Sequence, residues 1–363
     1  MTKRVLVIGG YGTFGKFIAE TLSNDPDITV IVAGRSRDKA AATAADLNCE
    51  WAVVDINHGF DERLAEICPD IVIHTSGPYQ DQDYVVAETC IRHGCHYIDL
   101  ADARGFVENI DRLDADAKNA NVLVVSGASS VPCLTAAVID RYQSDFGTLL
   151  SVDYGIATAQ KTGRGLATTK SVLSYAGKPF KTLIDGVRST IYGWQSLHLR
   201  RFPHLGWRFL GNCDVPDLEI FPKRYPTLQT IRFYAGLELP FVHLCLWAMT
   251  WLVRGGIVAS IVPMAPIMLK ISALFDVIGG DRSGFYMHMG GIGVDGNKKS
   301  VTFNLTARDG FGPFIPCMPA ILLAKGLANQ TIAVHGATPC IGLIDLDSYL
   351  AALRPYPIDW DCK

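Results

Sequence analysis

The chain has 363 residues, 49% hydrophobic and 19% charged, which is ample apolar material for two cores and too much for a disordered chain. Lysine and arginine (33) nearly balance aspartate and glutamate (36), and no basic block occurs, so a nucleic-acid partner is excluded. The 10 cysteines are scattered without a Cys-x-x-Cys pair, which argues against a zinc ribbon or dithiol site and for free thiols in a reducing, cytoplasmic setting. Lys3 and Arg4 precede the apolar run Val5 to Ile8, but that run ends at once in glycines and is too short for a secretory leader.

Up to about residue 125 the chain alternates strand-like and helix-like segments. Short, wholly apolar runs read as buried parallel strands at Val5 to Ile8, Ile28 to Ala33, Trp51 to Val54, Ile71 to Thr75, Tyr97 to Ile98 and Val122 to Val125. Between them lie helical patterns: Phe14, Phe17, Ile18 and Leu22 on one stripe, then Arg37 to Leu47, Tyr84 to His93 and Gly105 to Asn119. The alternation predicts an α/β architecture, an N-terminal Rossmann-type doubly wound parallel sheet over residues 1–132.

After about residue 130 the pattern changes. A helix is expected from Leu134 to Tyr142, followed by strands at Leu149 to Ala157, Phe285 to Val294 and Ser300 to Ala307, the last two joined by a tight Asp295-Gly296 turn. This reads as a second, mixed α+β domain over 133–340 that holds substrate or a dimer partner. Residues 341–363 are expected to return to the first domain. Residues 237–275 are strongly apolar and raise the mean hydropathy to +0.20. They read first as buried core or a homodimer interface, second as a peripheral membrane or lipophilic-substrate contact, and last as a true span, because Arg254, Pro240, Pro263 and Pro266 interrupt them.

Gly10, Gly12 and Gly15 fit G-x-G-x-x-G between the first strand and the first helix, with Tyr11, Thr13 and Phe14 between them. Gly10 is expected to allow the tight turn, Gly12 the approach of a pyrophosphate, and Gly15 close helix packing, with the helix N-terminus aimed at the phosphates. An NAD-binding domain places a carboxylate at the end of the second strand. Here Ala33-Gly34-Arg35-Ser36 stands there, and Arg35 with Ser36 suits a ribose 2′-phosphate, so NADP is the expected cofactor. Asp55 follows the third strand, where an adenine contact and a helix N-cap are both open readings. Ser76, Gly77 and Pro78 follow the fourth strand and are expected near the nicotinamide ribose.

Tyr79, Asp99 and Ser130 are the expected catalytic candidates, with Asp102 and Ser129 beside them, because all sit at predicted strand ends on the same edge. Each could equally serve as a cap or loop bond. His93 and His96 have metal-like spacing but no evident third ligand, so no metal is expected. None of the 13 tyrosines has a lysine four residues on, which disfavours the Tyr-x-x-x-Lys reductases.

Gly9 to Gly15, Gly34-Arg35-Ser36 and Ser76 to Tyr79 together resemble the saccharopine dehydrogenase family. So do Gly94 with His96-Tyr97-Ile98-Asp99, the Gly127 to Pro132 turn, Gly312 to Pro316 and Gly336 to Cys340. The resemblance implies an NADP(H)-dependent oxidoreductase of a small-molecule substrate. Similar proteins include trans-acting enoyl reductases, so the leading expectation is a reductase of a C=C, C=N or C=O bond in a small or partly lipophilic substrate. The alternatives are a true saccharopine-type amino-acid dehydrogenase, for which Arg200, Arg201 and Arg208 are scattered candidates, and a non-catalytic cofactor-binding or membrane-associated scaffold.

Overall fold

In the computed structural model, residues 2–163 and 165–363 are described. They form two compact units, neither continuous in sequence: Met1–Leu134 with Phe314–Ala352, and Thr135–Pro313 with Leu353–Lys363.

The first unit begins with β1 (Lys3–Ile8), β2 (Ile28–Gly34), β3 (Glu50–Val53), β4 (Ile71–His74), β5 (His96–Asp99) and β6 (Leu123–Ser126). The second contributes β7 (Phe146–Thr158), β8 (Pro179–Ile184), β9 (Val187–Tyr192), β10 (His198–Phe202), β11 (Gly206–Asn212), β12 (Thr230–Leu237), β13 (Ser283–Gly293) and β14 (Lys298–Ala307). The chain returns to the first unit for β15 (Gly336–Pro339) and leaves it again for β16 (Ile358–Cys362).

The first sheet has the order β15-β6-β5-β4-β1-β2-β3 with every neighbouring pair parallel, the doubly wound arrangement that the apolar runs predict. Val5 to Val7 and Val72 to Ile73 are fully buried because helices cover both faces. The order reverses beside β1, so the loops after β1 and β4 open side by side.

The chain returns at Phe314, well before the expected 341. The Phe314 ring stacks on Phe17 of the first helix, and β15 completes the sheet against β6. The four residues Gly336 to Pro339, the first two buried and the last two half-buried, carry no periodicity by which the sequence could reveal a strand. The last residues, from Leu353, belong to the second unit, where β16 pairs with β14.

The second unit is built on a mixed sheet of order β10-β11-β12-β7-β13-β14-β16, with β8 and β9 forming a separate hairpin. Ile231 and Phe233, Val152 and Tyr154, Phe285 and Met287, and Val301, Phe303 and Leu305 alternate along their strands and bury one face. The opposite face holds a buried apolar cluster of Ala157, Phe202, Leu210, Tyr234 and Tyr286, with polar side chains beside it. There Asp153 is flanked by Arg232 and His288, and Arg200 lies opposite Arg208. Arg201 pairs with Trp207 on the other face.

Residues 237–275 are not the buried core that one reading of them expects. Only His243, Leu246 and Thr250 are buried in the helix Pro240–Arg254, and only Ala265 in the helix Ala265–Ala273. Among the described residues no helix is long and apolar enough to cross a membrane.

Candidate dinucleotide-binding site

The loop after β1 is shaped by its glycines, though the tightest turn falls one residue before the motif. Gly9 has φ +82°. A Cβ on Gly10 would meet the Val7 carbonyl oxygen at 2.8 Å, and one on Gly15 would meet the Gly9 carbonyl oxygen at 2.3 Å. A Cβ on Gly12 would touch only Gly9 O, at 3.1 Å, so that side of the loop stays open for a ligand. Gly12 then caps the helix Thr13–Ser23 without a side-chain partner, leaving its first N–H groups for an anion. Thr13 and Phe14 form the first turn of that helix.

At the end of β2 the Tyr11 ring lies over Gly34, where a Cβ would come within 2.5 Å of it, and its hydroxyl oxygen accepts the Ser36 N–H at 3.1 Å. Ser36 caps the helix Arg37–Leu47 by accepting from the Lys39 N–H. Arg35 is exposed and has no ion-pair partner among the described residues. Arg37, a residue the motif reading passed over, lies with its guanidinium 5.6 Å from the centre of the Trp51 ring. Asp55 closes its own turn by accepting the Asn57 N–H at 3.0 Å; the next helix is capped at Gly59 instead.

The loop after β4 is tied to β1. Thr75 donates both its N–H and its hydroxyl to Ile8 O, which sets Thr75 and Ser76 against Gly9. Gln82 donates to Ser76 O and Pro78 O and so fixes the Ser76-Gly77-Pro78 segment. Gln82 is not singled out in the sequence because it belongs to no recurring glycine pattern.

The expected catalytic residues come to the same edge, in different states. Tyr79 is 4% exposed and donates its hydroxyl to His74 O at 2.6 Å. Burial first, and then the charges of Asp99 and Asp102, hold its pKa well above the usual range. Asp99 is fully buried, and its Oδ1 accepts from Ala101 N–H, the Ser126 hydroxyl and Gly127 N–H. Burial raises its pKa to about 6 against the lowering effect of those bonds. Asp99 thus joins the carboxyl ends of β5 and β6. Ser130 is half-buried beside the hydroxyl of Tyr349, which donates to Ile315 O. Ser129 is half-buried next to it, and Asp102 accepts from Gln80.

The two histidines with metal-like spacing face different partners. His93 lies 3.4 Å from the Asp61 carboxylate, and His96 accepts the Leu123 N–H. A hollow of about 350 Å³ lined in part by Lys3, Asp70, His96 and His335 lies at the amino ends of β1, β4 and β5, opposite the glycine loop.

The strand order, the glycine loop and the open helix N-terminus define a dinucleotide-binding protein. Residues 5–125 match the saccharopine dehydrogenase NADP binding domain. Among solved structures it is similar to saccharopine dehydrogenase (L-Glu forming) from Saccharomyces cerevisiae, at 15% identity over 99% of both chains with a TM-score of 0.73, which shows a shared fold. Amine dehydrogenase from Mycobacterium smegmatis is more distant, at 10% identity over 96% of both chains and a TM-score of 0.47. No curated protein sequence matches the chain significantly.

Proposed function

We propose that this protein is an NADPH-dependent oxidoreductase that reduces a C=C, C=N or C=O bond of a small molecule. The observation that carries the reading is the end of β2, where the acidic residue of an NAD site is replaced by an exposed, unpaired Arg35 beside Arg37 and Lys39. The residues fit the cofactor: Gly12 leaves open the space a Cβ would narrow, the helix N-terminus faces it, and a guanidinium stands free for a phosphate.

In this reading the helix N-terminus and Gly12 take the pyrophosphate, Arg35 takes the 2′-phosphate, and the Ser76 to Pro78 loop flanks the nicotinamide ribose. Bound NADPH supplies the hydride. Tyr79 and Asp99 act as positioning residues that keep the loops after β4, β5 and β6 in place. Ser130, the least buried of the three, is the one offered for substrate contact. Arg35→Ala should weaken NADPH binding about tenfold or more while leaving NADH binding unchanged, since a charge-assisted phosphate bond is worth about 1.5–3 kcal/mol. Equal loss for both cofactors would remove the assignment.

A second reading has one observation in its favour. Arg200 and Arg208 lie on the same face of the second sheet as Arg232, as an amino-acid substrate with several carboxylates would require. Arg208 is already within 3.7 Å of Glu238, however, and Arg200 lies 3.4 Å over the Tyr286 ring. A screen in which only amino-dicarboxylate substrates oxidise or reduce the cofactor would favour this reading over the first.

A further inference from the structure

The segment 239–280 is the most apolar in the chain, and most of it is surface. The helix Pro240–Arg254 is apolar on its outer side. His243, Leu246 and Thr250 face inward, and Phe241, Leu244, Trp251 and Leu252 face solvent at helical spacing. The helix Ala265–Ala273 and the turn after it expose Ile267 and Ile271, then Leu274 (73%) and Val277 (87%). The Phe241 and Phe275 rings meet at 4.8 Å, so the two helices present one continuous apolar surface. A patch of this kind on a folded protein marks a docking surface.

Its charges indicate what docks. Between 239 and 280 the charged residues are Arg254, Lys270 and Asp276, and the Asp276 carboxylate accepts from Gln160. Further lysines surround the patch. Lys161 donates its N–H to Gly280 O, Lys178 follows Gly177 where it packs on Thr250, and Lys170 lies on the helix Leu166–Ser174, which packs against Ala265–Ala273. None of these lysines, nor Lys270, has a carboxylate partner among the described residues. An apolar centre with aromatic side chains and a cationic rim is complementary to an anionic bilayer surface. A twofold dimer through the same patch would instead bring each rim against its own copy, like charge to like.

We propose that this protein docks peripherally on anionic membranes through the face formed by Pro240–Arg254 and Ala265–Ala273. The inference is independent of the cofactor assignment. The full chain is floated with vesicles of phosphatidylcholine alone and of phosphatidylcholine with phosphatidylglycerol, at low and high salt, and its oligomeric state is measured by sedimentation velocity. Binding to the anionic vesicles is expected, weaker at high salt. It should fall more than tenfold in the Ile267→Glu/Ile271→Glu variant, and about fivefold for each charge removed in Lys170→Gln and Lys270→Gln. Circular dichroism and thermal unfolding of each variant report whether it is folded. Three results would overturn the proposal: no vesicle binding by folded protein, binding indifferent to phosphatidylglycerol, or a dimer that the isoleucine variant dissociates without any vesicle binding. The last would assign the face to a second copy of the chain.

Discussion

Asp99 carries a fully buried carboxylate whose Oδ1 takes three hydrogen bonds and whose Oδ2 takes none. Its pKa rises from 3.8 unfolded to about 6 folded, so between those values the folded form holds the extra proton. Its contribution to stability is therefore full at low pH and is lost as pH rises to about 6. His74 acts in the opposite sense. Burial lowers its pKa from 6.5 to about 4, so its contribution is lost as pH falls through that window. Asp99→Asn removes the first term only. The stability of the variant relative to the parent should rise between about pH 4 and pH 6, by up to about 3 kcal/mol, in urea titrations at stepped pH. A difference that does not change with pH would show that this carboxylate does not titrate there.

Gly15 is the second residue whose role can be isolated. Its hypothetical Cβ falls 2.3 Å from Gly9 O, a backbone atom that cannot step aside without opening the turn. Gly15→Ala should cost about 1–3 kcal/mol in thermal unfolding and displace the loop, with NADPH affinity falling too. Tyr11→Phe is milder. It removes the bond to Ser36 N–H and should cost roughly 1 kcal/mol, with a larger effect on NADPH than on NADH if Ser36 lies at the 2′-phosphate.

At the scale of elements, the first six strands were legible because a parallel strand buried on both faces must be apolar throughout, and each run ends at a turn. The helix Phe60–Ile67, implied only by the N-cap reading of Asp55, has no bounds legible in the sequence because only Phe60, Leu64 and Ile67 mark it, too few positions to establish a period. The expected helix Gly105 to Asn119 is three short pieces, Arg104–Glu108, Ile110–Leu113 and Asp114–Asn119, broken at Asn109, where neither glycine nor proline gives warning. Strands β8 to β11 were missed because they are half-exposed and mix polar with apolar residues. The proposed cofactor residues that belong to a motif can be named from the sequence; Gln82 and Arg37, which belong to none, cannot. The return of Phe314–Ala352 leaves no local signal, but it has a testable consequence. A chain ending at Pro313 would lack β15, the Phe314 ring and Tyr349, and is expected to lose NADPH binding and unfold at lower temperature. Unchanged binding would mean that the glycine loop does not need the seventh strand.

Over the whole molecule, the two sheets divide the chemistry. The first ends in a parallel edge with the glycine loop, and the second has a face on which Arg200, Arg208 and Arg232 lie around a buried apolar cluster. Composition marked 237–275 as exceptional, but hydropathy has no direction, and burial of the same residues depends on what packs against them. The most direct test of the proposed function is to titrate the purified full chain with NADPH and with NADH, following cofactor fluorescence and thermal unfolding. Ligand at 100 times its Kd should add about 2.7 kcal/mol of stability. The expected result is tight binding of NADPH, weak binding of NADH, and loss of the preference in Arg35→Ala; binding of neither, or a preference for NADH, would contradict the proposal.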